Sequence, residues 1–375
     1  MAYQHWSYET LKALCMEVYQ KFGFSTRDSE VITDVLLSSD LYGIESHGMQ
    51  RMQLYNKGIR AGKIKVDAKP EVVFETPVSA VIDGHDAMGQ LVGHRAMELA
   101  IEKAKTSGIG IVSARNSNHY GIAGYYAKMA SSQGLIGLSC TNSTAIMVPT
   151  YGRRAMLGSN PIAMAVPAEP CDFFFDASTT VVTLGKLEVY NKQSKPLPLG
   201  WALDQEGIPS DNAGDVIHNI TTGNGGGIVP LGGDTEQFGS HKGYGYGMIV
   251  EILSAILSLG ATSNLCNIGG KGLVCHGFIA IDPAIFGDPA AIKEHLSNYL
   301  RQLRESPRAE GADRIYTHGE KEQEAVAVRM KEGIPVLDNT MVELLGICKY
   351  LDIDFSKYFG DYLPPDTGFK GNEFS

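Results

Sequence analysis

The stretch Gly108-Ile-Gly-Ile-Val-Ser-Ala-Arg-Asn-Ser-Asn-His-Tyr-Gly121 joins an apolar run to a turn that ends in glycine. Residues 108–113 have the short apolar pattern of a buried strand, and residues 122–129 have the pattern of a helix start. His119 is therefore predicted on a strand-to-helix turn. Such a turn aims side chains and free backbone N–H groups at a ligand, and the helix N-terminus favours an anionic group. A histidine that only caps the helix is the alternative.

A second histidine lies in Ser46-His47-Gly48, close to Arg51. If residues 46–55 form a helix after Gly43, His47 and Arg51 are four residues apart and share one face. Imidazole exchanges protons near neutral pH, and guanidinium grips a carboxylate through two parallel hydrogen bonds. The pair suits a small carboxylate substrate. A surface pair on a solvated helix is the alternative.

A third glycine-flanked stretch is His241-Lys-Gly-Tyr-Gly245, which follows the glycine-rich loop 232–239. Lys242 is predicted at the opening of a helix over about 244–259, where it suits a phosphate or amide contact; a solvated lysine is the alternative. Glycine lets backbone and ligand approach closely, so the three stretches together indicate an enzyme.

Composition narrows the class of protein. The chain has 375 residues and a net charge of −10, without a basic stretch interleaved with aromatic residues, so a nucleic-acid partner is not expected. Its six cysteines form no Cys-x-x-Cys pair, and we expect them to be reduced. The N-terminus has no leader pattern, and no apolar run reaches membrane-spanning length. A cytoplasmic protein with two or three subdomains and no membrane contact is predicted.

Helices and short strands both recur along the chain. Helices are predicted over about 8–22, 25–42, 89–105, 290–304, 320–331 and 339–351, and strands over 72–74, 80–82, 134–140, 155–166 and 273–281. No strand is followed by Gly-x-Gly-x-x-Gly and a helix, so a Rossmann nucleotide fold is not predicted.

Five separated motifs resemble those of the malate/L-lactate dehydrogenase family that lacks a Rossmann fold, and they occur in the family's order. They are Ser46-His-Gly-Met-Gln-Arg51, Arg115-Asn-Ser-Asn-His-Tyr-Gly121, Gly158-Ser-Asn-Pro161, Asp176-Ala-Ser-Thr179 and His241-Lys-Gly-Tyr-Gly245. The resemblance extends to about residue 350. It implies an α+β fold with a mostly antiparallel central sheet in the nucleotide-binding domain and helices from both chain termini. The implied division places 1–115 and 285–375 in a substrate-side domain and 116–284 in the nucleotide-binding domain.

The resemblance also implies an activity. It is the transfer of a hydride between NAD or NADP and a small 2-hydroxy or 2-oxo acid, of the malate/oxaloacetate or L-lactate/pyruvate type. Because the family includes such relatives, ureidoglycolate, sulfolactate, diketogulonate and cyclic ketimines are alternative substrates. A homodimer is implied as well.

Matching the motifs residue by residue predicts the site. We expect His47 to remove the hydroxyl proton, with His119 as the other candidate, and Ser46 to orient His47 or donate to the reacting oxygen. Arg51 would clamp the substrate carboxylate, with Ser159 and Asn160 as further substrate contacts. The predicted cofactor contacts are His119, Tyr120, Gly121, Asp176, Ala177, Ser178, Lys242, His318, Gly319 and Glu320.

Some positions depart from the family pattern. His318 stands where relatives carry proline, and Lys186 stands where some relatives carry an acidic partner of the Ser-His pair, so Glu188 or a backbone group would have to replace that partner. Arg153 and Arg154 are the candidates for binding a second substrate carboxylate. Two other functions are kept open. One is a metal-dependent hydrolase or lyase built on His47, His119 and His241, although no metal site is predicted; the other is a catalytically silent family scaffold.

Overall fold

The computed structural model of the protein describes residues 3–365, and helix starts follow local capping signals. The hydroxyls of Ser7 and Ser25 accept hydrogen bonds from the backbone N–H groups of Thr10 and Asp28, each at 3.1 Å. The helices are α1 (Tyr8–Lys21), α2 (Thr26–Leu41), α3 (Met52–Arg60), α4 (Gly89–Ser107), α5 (Ala123–Ser131), α6 (Leu184–Lys192), α7 (Ala213–Thr222), α8 (Ser240–Glu251), α9 (Pro289–Glu305), α10 (Glu320–Glu332), α11 (Asp338–Leu351) and α12 (Ser356–Phe359). The strands are β1 (Tyr3–Trp6), β2 (Glu71–Glu75), β3 (Ser79–Asp83), β4 (Ile109–Ser117), β5 (Ile136–Thr141), β6 (Ile162–Val166), β7 (Phe173–Ala177), β8 (Ala202–Leu203), β9 (Gly227–Ile228), β10 (Val274–Ile281) and β11 (Ile334–Leu337).

A seven-stranded sheet in the order β2-β3-β4-β10-β5-β6-β7 forms the centre of the fold. Only the β3–β4 pair is parallel, and the other neighbouring strands run antiparallel. The expected α+β fold with a mostly antiparallel sheet is confirmed. Because β4 and β5 both run antiparallel to β10, their carboxyl ends meet the start of β10 at one edge of the sheet.

The molecule contains two large apolar cores, and the first of them packs against the central sheet. In the first, α4 and α5 pack on the sheet through alanines, Tyr120, Tyr126 and Phe278. The second joins both ends of the chain, since α1, α2 and α3 pack with α11 and with β1 paired to β11. This confirms that helices from both termini form one part of the molecule. The sheet takes strands from both sides of residue 115, and the division at 115/116 and 284/285 stays a prediction; residues 366–375 of its last part lie outside the described residues.

The predicted continuous helix over residues 46–55 is wrong. The chain forms single 3-10 turns at Glu45–His47 and Met49–Arg51, and Gly48 between them has φ −91° and ψ −139°. The cause is the buried carboxylate of Asp40, whose Oδ2 accepts the Met49 backbone N–H at 2.8 Å. A continuous helix would instead donate this N–H to the carbonyl of residue 45.

Other predicted elements differ less. The strand predicted over 155–166 begins only at Ile162, because Pro161 has no N–H for a ladder and the Ser159 carbonyl accepts the Thr179 N–H at 2.9 Å. Among residues 3–365, no helix is both long and apolar enough to cross a lipid bilayer.

Candidate active site

A cavity of about 540 Å³ opens at the sheet edge where β4 and β5 end. His119 follows β4 by two residues, and the segment 141–144 follows β5. The cavity is also lined by His47 and by two lysines, Lys57 and Lys63, and no aspartate or glutamate of residues 3–365 lines it. Its electrostatics therefore favour an anionic ligand.

His47 lies on the 3-10 turn beside this cavity. Its Nδ1 is 3.0 Å from Ser46 Oγ, a hydroxyl that can donate or accept, and its ring remains partly accessible. Burial, together with the positive charge of Arg51, lowers the pKa of His47 to about 3. The imidazole is therefore neutral near pH 7, with Nε2 left for a ligand.

His119 stacks beside His47, with ring centroids 5.4 Å apart and planes inclined by 28°. Its Nδ1 is 2.9 Å from Tyr55 Oη and accepts the Gly121 backbone N–H at 3.3 Å. Gly121 has φ +87°, which bends the chain back toward the ring. Because a backbone N–H only donates, Nδ1 is an acceptor, and the neutral ring carries its proton on Nε2. Burial holds the pKa of His119 well below its usual value, and the positive charges of Arg51 and Lys63 act in the same direction.

Arg51 supports the same turn in an unexpected way. Its Nε donates to the Ser46 carbonyl at 2.6 Å, and the side chain is not among the cavity-lining residues. The charge still reaches the cavity, since it lowers the pKa of both His47 and His119. Arg51 thus holds the Ser46 carbonyl, and within residues 3–365 its two Nη groups have no acceptor.

The two predicted substrate contacts of the 158–161 motif lie in different surroundings. Ser159 lines the cavity, and its backbone N–H donates to Ser143 Oγ at 3.1 Å. Asn160 is fully buried, with Nδ2 2.9 Å from Glu251 Oε1 and 3.2 Å from the Gly247 carbonyl. The Asn160 side chain therefore anchors the turn to α8.

Several of the predicted cofactor contacts lie at or beside one strand, β7. The Asp176 carboxylate accepts the Gly124 N–H at the start of α5 at 2.7 Å, and burial raises the pKa of Asp176 to about 6. At the other end of β7, the His318 carbonyl accepts the Phe174 N–H at 3.2 Å, and the His318 ring lies 5.5 Å from those of Phe173 and Phe175.

The residues next to His318 and those after Asp176 make further contacts at and beside β7. Glu320 accepts hydrogen bonds from the backbone N–H and the hydroxyl of Thr317. Gly319 packs against β7, where a Cβ would lie 2.6 Å from the Asp172 carbonyl. Ala177 pairs with Ile162 of β6, and the Ser178 hydroxyl donates to the Thr180 carbonyl at 3.2 Å.

Lys242 and Tyr120 complete the predicted set. Lys242 lies in the first turn of α8, as expected, and its side chain is exposed. The Tyr120 ring is buried between His276, with centroids 4.3 Å apart, and Tyr126, at 4.6 Å. Tyr120 therefore supports the cavity wall with its ring packed in the core.

Several predicted residues are not brought into the cavity. Neither Lys186 nor Glu188 is among its lining residues. Arg153 is paired with Glu206 at 2.8 Å, and Arg154 lines a separate cavity of about 440 Å³. His241 lies beside Glu236, at 3.9 Å. Across residues 3–365, no group of three or more histidine, cysteine, aspartate or glutamate side chains is placed to hold a metal ion, so the alternative of a metal-dependent hydrolase or lyase has no ligand set there.

Sequence reasoning missed five residues that shape the site: Asp40, Tyr55, Lys63, Asn118 and His276. Tyr55 could have been found, because it lies one helical turn after Arg51 in the motif. His276 has no local signal. It is buried between Thr141 Oγ1 at 2.7 Å and Ser117 Oγ at 2.8 Å, and burial lowers its pKa to about 3.

The residues present fit a nicotinamide nucleotide. Asn118 lines the cavity, and among the described residues its Oδ1 is a buried acceptor without a hydrogen-bond partner. Such an acceptor is costly unless a ligand donor satisfies it, and the carboxamide of a nicotinamide supplies one. The Nδ2 of the same side chain is held by the carbonyls of Asp86 and Ala87, each at 3.0 Å, so the acceptor has a fixed position.

Both the sequence and the fold are similar to those of known dehydrogenases. Residues 6–345 match the sequence profile of the malate/L-lactate dehydrogenase family. The chain is 43% identical to a malate dehydrogenase of Pyrococcus horikoshii over 92% of this chain and 95% of that protein. It is 36% identical to an L-sulfolactate dehydrogenase of Methanocaldococcus jannaschii, over 93% and 98%. The crystal structure of a malate dehydrogenase from Entamoeba histolytica superposes with a TM-score of 0.90 at 34% identity, over 94% and 99% of the two chains.

These matches confirm the expected enzyme class. The chain belongs to the malate/L-lactate dehydrogenase family, and it is a hydroxy-acid dehydrogenase that uses a nicotinamide cofactor and a small carboxylate substrate.

Proposed function

We propose that this enzyme interconverts malate and oxaloacetate with NAD or NADP, and that His47 carries the proton. The observation that supports the proposal best is the pair of neutral imidazoles side by side in a cavity that is lined by lysines and, within the described part of the chain, by no carboxylate. The 43% identity to a malate dehydrogenase supports the choice of substrate.

The two histidines would have different roles because their partners differ. With its proton on Nδ1, donated to Ser46, His47 presents a free Nε2 lone pair that removes the substrate hydroxyl proton. His119, with its proton on Nε2, donates a hydrogen bond to the same oxygen as that oxygen becomes a carbonyl. When bound, the nicotinamide accepts the hydride that leaves C2.

The substrate carboxylate would be bound by the Nη groups of Arg51, which remain after Nε has been used on the Ser46 carbonyl. Ser159 adds a polar contact from the opposite wall. Asp176, Ser178 and the 318–320 segment would hold the nucleotide along β7, and Lys242 would contact it from the first turn of α8; the hydrogen bonds of Asp176 and His318 to residues at and beside β7 support this.

We also propose a homodimer in which α8 lies at the interface. Tyr246, Ile249, Ile252 and Ile256 follow one another at helical spacing along α8 and the π-helical turn after it, and they are between 45 and 54% exposed. A row of exposed apolar side chains of this kind marks a protein interface.

All six cysteines are unpaired, which supports a reducing compartment and hence the cytoplasm; cell fractionation would test this.

The experiment is an absorbance assay of NADH and NADPH oxidation with oxaloacetate, pyruvate, sulfopyruvate and a cyclic ketimine, with folded His47→Gln and His119→Gln proteins in parallel. We expect cofactor oxidation with oxaloacetate as the preferred substrate. Its rate should be lower in both variants, and lowest in His47→Gln. A higher kcat/KM with another substrate would overturn the choice of malate. Full activity of His47→Gln would overturn its role.

A further inference from the structure

Lys63 is a cavity residue whose charge has no acidic partner among residues 3–365. It lies in the turn after α3, is half-buried, and donates from Nζ to Asn267 Oδ1 at 2.5 Å. Among residues 3–365, no carboxylate lies within ion-pair distance of this Nζ, and burial lowers the pKa of Lys63. A partly desolvated ammonium without a counter-charge is costly, and an anionic ligand removes that cost.

Asp86, which lies near this turn of the chain, is already paired with other lysines. Asp86 Oδ2 is 2.9 Å from Lys65 Nζ and 4.0 Å from Lys271 Nζ. Its negative charge is therefore balanced outside the cavity, and the positive charge of Lys63 remains directed at whatever the cavity binds.

Arg51 and Lys63 are two cations near the ring of His119. Arg51 precedes α3 and Lys63 follows it, and the charges of both residues act on the ring of His119. A ligand oxygen bound by His119 would therefore lie near two cations. One is Arg51, which is bonded to Ser46, and the other is Lys63, which is bonded to Asn267.

We propose that Lys63 is a specificity-determining residue that binds a second acidic group of the substrate, so that the enzyme prefers 2-oxo and 2-hydroxy acids with a carboxylate or sulfonate at the far end. This inference rests on the proposed function, in which Arg51 binds the first carboxylate. Asn267 holds the ammonium in place, and Asn267 Nδ2 is itself bonded to Thr144 Oγ1 across the cavity. Of the two arginines considered from sequence for this role, Arg153 is paired with Glu206 and Arg154 lines the separate cavity of about 440 Å³.

Two other roles for Lys63 make different predictions. If Lys63 only tied the α3 turn to Asn267, its loss would weaken all substrates alike and lower the melting temperature. If it contacted a cofactor phosphate, its loss would raise the KM for the nucleotide with every substrate.

The first test compares Lys63→Met with Lys63→Arg and with Lys65→Met, a control that removes an equal charge outside the cavity. We expect kcat/KM for oxaloacetate and sulfopyruvate to fall about 10- to 100-fold in Lys63→Met, the usual worth of a hydrogen bond to a charged group, while kcat/KM for pyruvate changes less than about threefold. Lys63→Arg should retain most of the preference. Equal losses for all three acids, a raised nucleotide KM, or a selectivity shift in Lys57→Met instead would overturn the proposal.

The second test does not need turnover. Binding of succinate and propionate, which have no hydroxyl to oxidise, is measured by calorimetry with the wild-type and Lys63→Met proteins in the presence of NADH. Succinate should bind at least about tenfold more weakly to Lys63→Met, and propionate equally well to both proteins. Equal succinate affinity in the two proteins would overturn the assignment. Succinate binding that depends on Lys63 in a protein inactive on all tested acids would contradict the proposed function and leave this inference standing.

Discussion

The two active-site histidines differ in the groups that their Nδ1 atoms contact. His119 Nδ1 accepts from the backbone of Gly121, which fixes its tautomer, whereas His47 Nδ1 faces a hydroxyl that permits either tautomer. The same side chain can therefore be a donor at one position and a base at the other. Resemblance to the family pointed to both residues, but this difference depends on contacts that only the structure shows.

Tyr55 is expected to orient the His119 ring through a hydrogen bond, without itself taking part in the proton transfer. Its hydroxyl is 2.9 Å from His119 Nδ1 and is buried, and burial raises its pKa, so it stays a neutral donor. We expect Tyr55→Phe to lower kcat about 3- to 30-fold with little change in KM, because the imidazole loses one orienting hydrogen bond of about 1–2 kcal/mol. Steady-state kinetics measure this. An unchanged kcat in a folded variant would show that the contact does not orient His119.

At the scale of elements, the turn that carries His47 depends on close packing of Gly48 on Asp40. A Cβ on residue 48 would lie 2.0 Å from Asp40 Oδ1, which leaves no room for alanine. Gly48→Ala should therefore destabilise the protein by about 1–3 kcal/mol and reduce kcat, since overpacking moves the turn. Chemical unfolding and kinetics measure both effects.

Gly346→Ala is the matched control for that change. Gly346 lies within α11, and nothing is within 4 Å of its added Cβ. This substitution should be neutral or stabilising by about 0.5–1 kcal/mol, as expected for alanine in place of glycine in a helix. Equal effects of the two substitutions would contradict the packing argument.

Asp40 should make stability depend on pH in a specific direction. Burial raises the pKa of Asp40 to about 8, although the Met49 N–H and Arg329 oppose the shift. Because the unfolded carboxyl titrates near 4, the folded state retains a proton between pH 4 and 8, and the associated stability is lost as the pH rises through 8. Asp40→Asn keeps an acceptor for Met49 and removes the titration. Its melting temperature relative to the wild type should therefore increase from pH 5.5 to pH 8. A pH-independent difference would contradict this account.

Elements with a local signal were predictable. The strand and helix around His119, and the helix α4, appear where the apolar periodicity places them. The helix expected over 46–55 is broken by Asp40, a residue from the last turn of α2, and no pattern within 46–55 reports that contact. The strand β7 was missed because its aromatic run, Phe173–Phe175, stands next to an acidic residue on each side without alternation.

At the scale of the whole molecule, the exposed apolar face of α8 should be buried in a homodimer. Ile252→Glu places a charge in that face and is expected to shift the protein toward monomers, because an unpaired buried charge costs several kcal/mol. Sedimentation velocity measures the change. Val328→Glu is the control, since Val328 is 50% exposed on α10 and lies outside this face. An unchanged sedimentation coefficient for Ile252→Glu would contradict the assignment of the interface.

The fold class and the chemistry of the site were predictable from five motifs, yet the cavity itself was not. Its walls come from segments far apart in the sequence: the turn of His47, α3 and the turn after it, the ends of β4 and β5, the segment before β6 and the loop before β10. Lys63 and Asn267 are 204 positions apart, so only the folded chain brings the ammonium to the site.

The most direct test of the central claim follows deuterium from substrate to cofactor. L-Malate deuterated at C2 is incubated with NAD or NADP, and the reduced cofactor is analysed by mass spectrometry for the wild type and for His47→Gln. We predict one deuterium per reduced nicotinamide in the wild type, and a rate roughly 10²- to 10⁴-fold lower in folded, cofactor-binding His47→Gln, as for loss of a general base. Reduced cofactor without deuterium, or an undiminished rate in His47→Gln, would contradict the account.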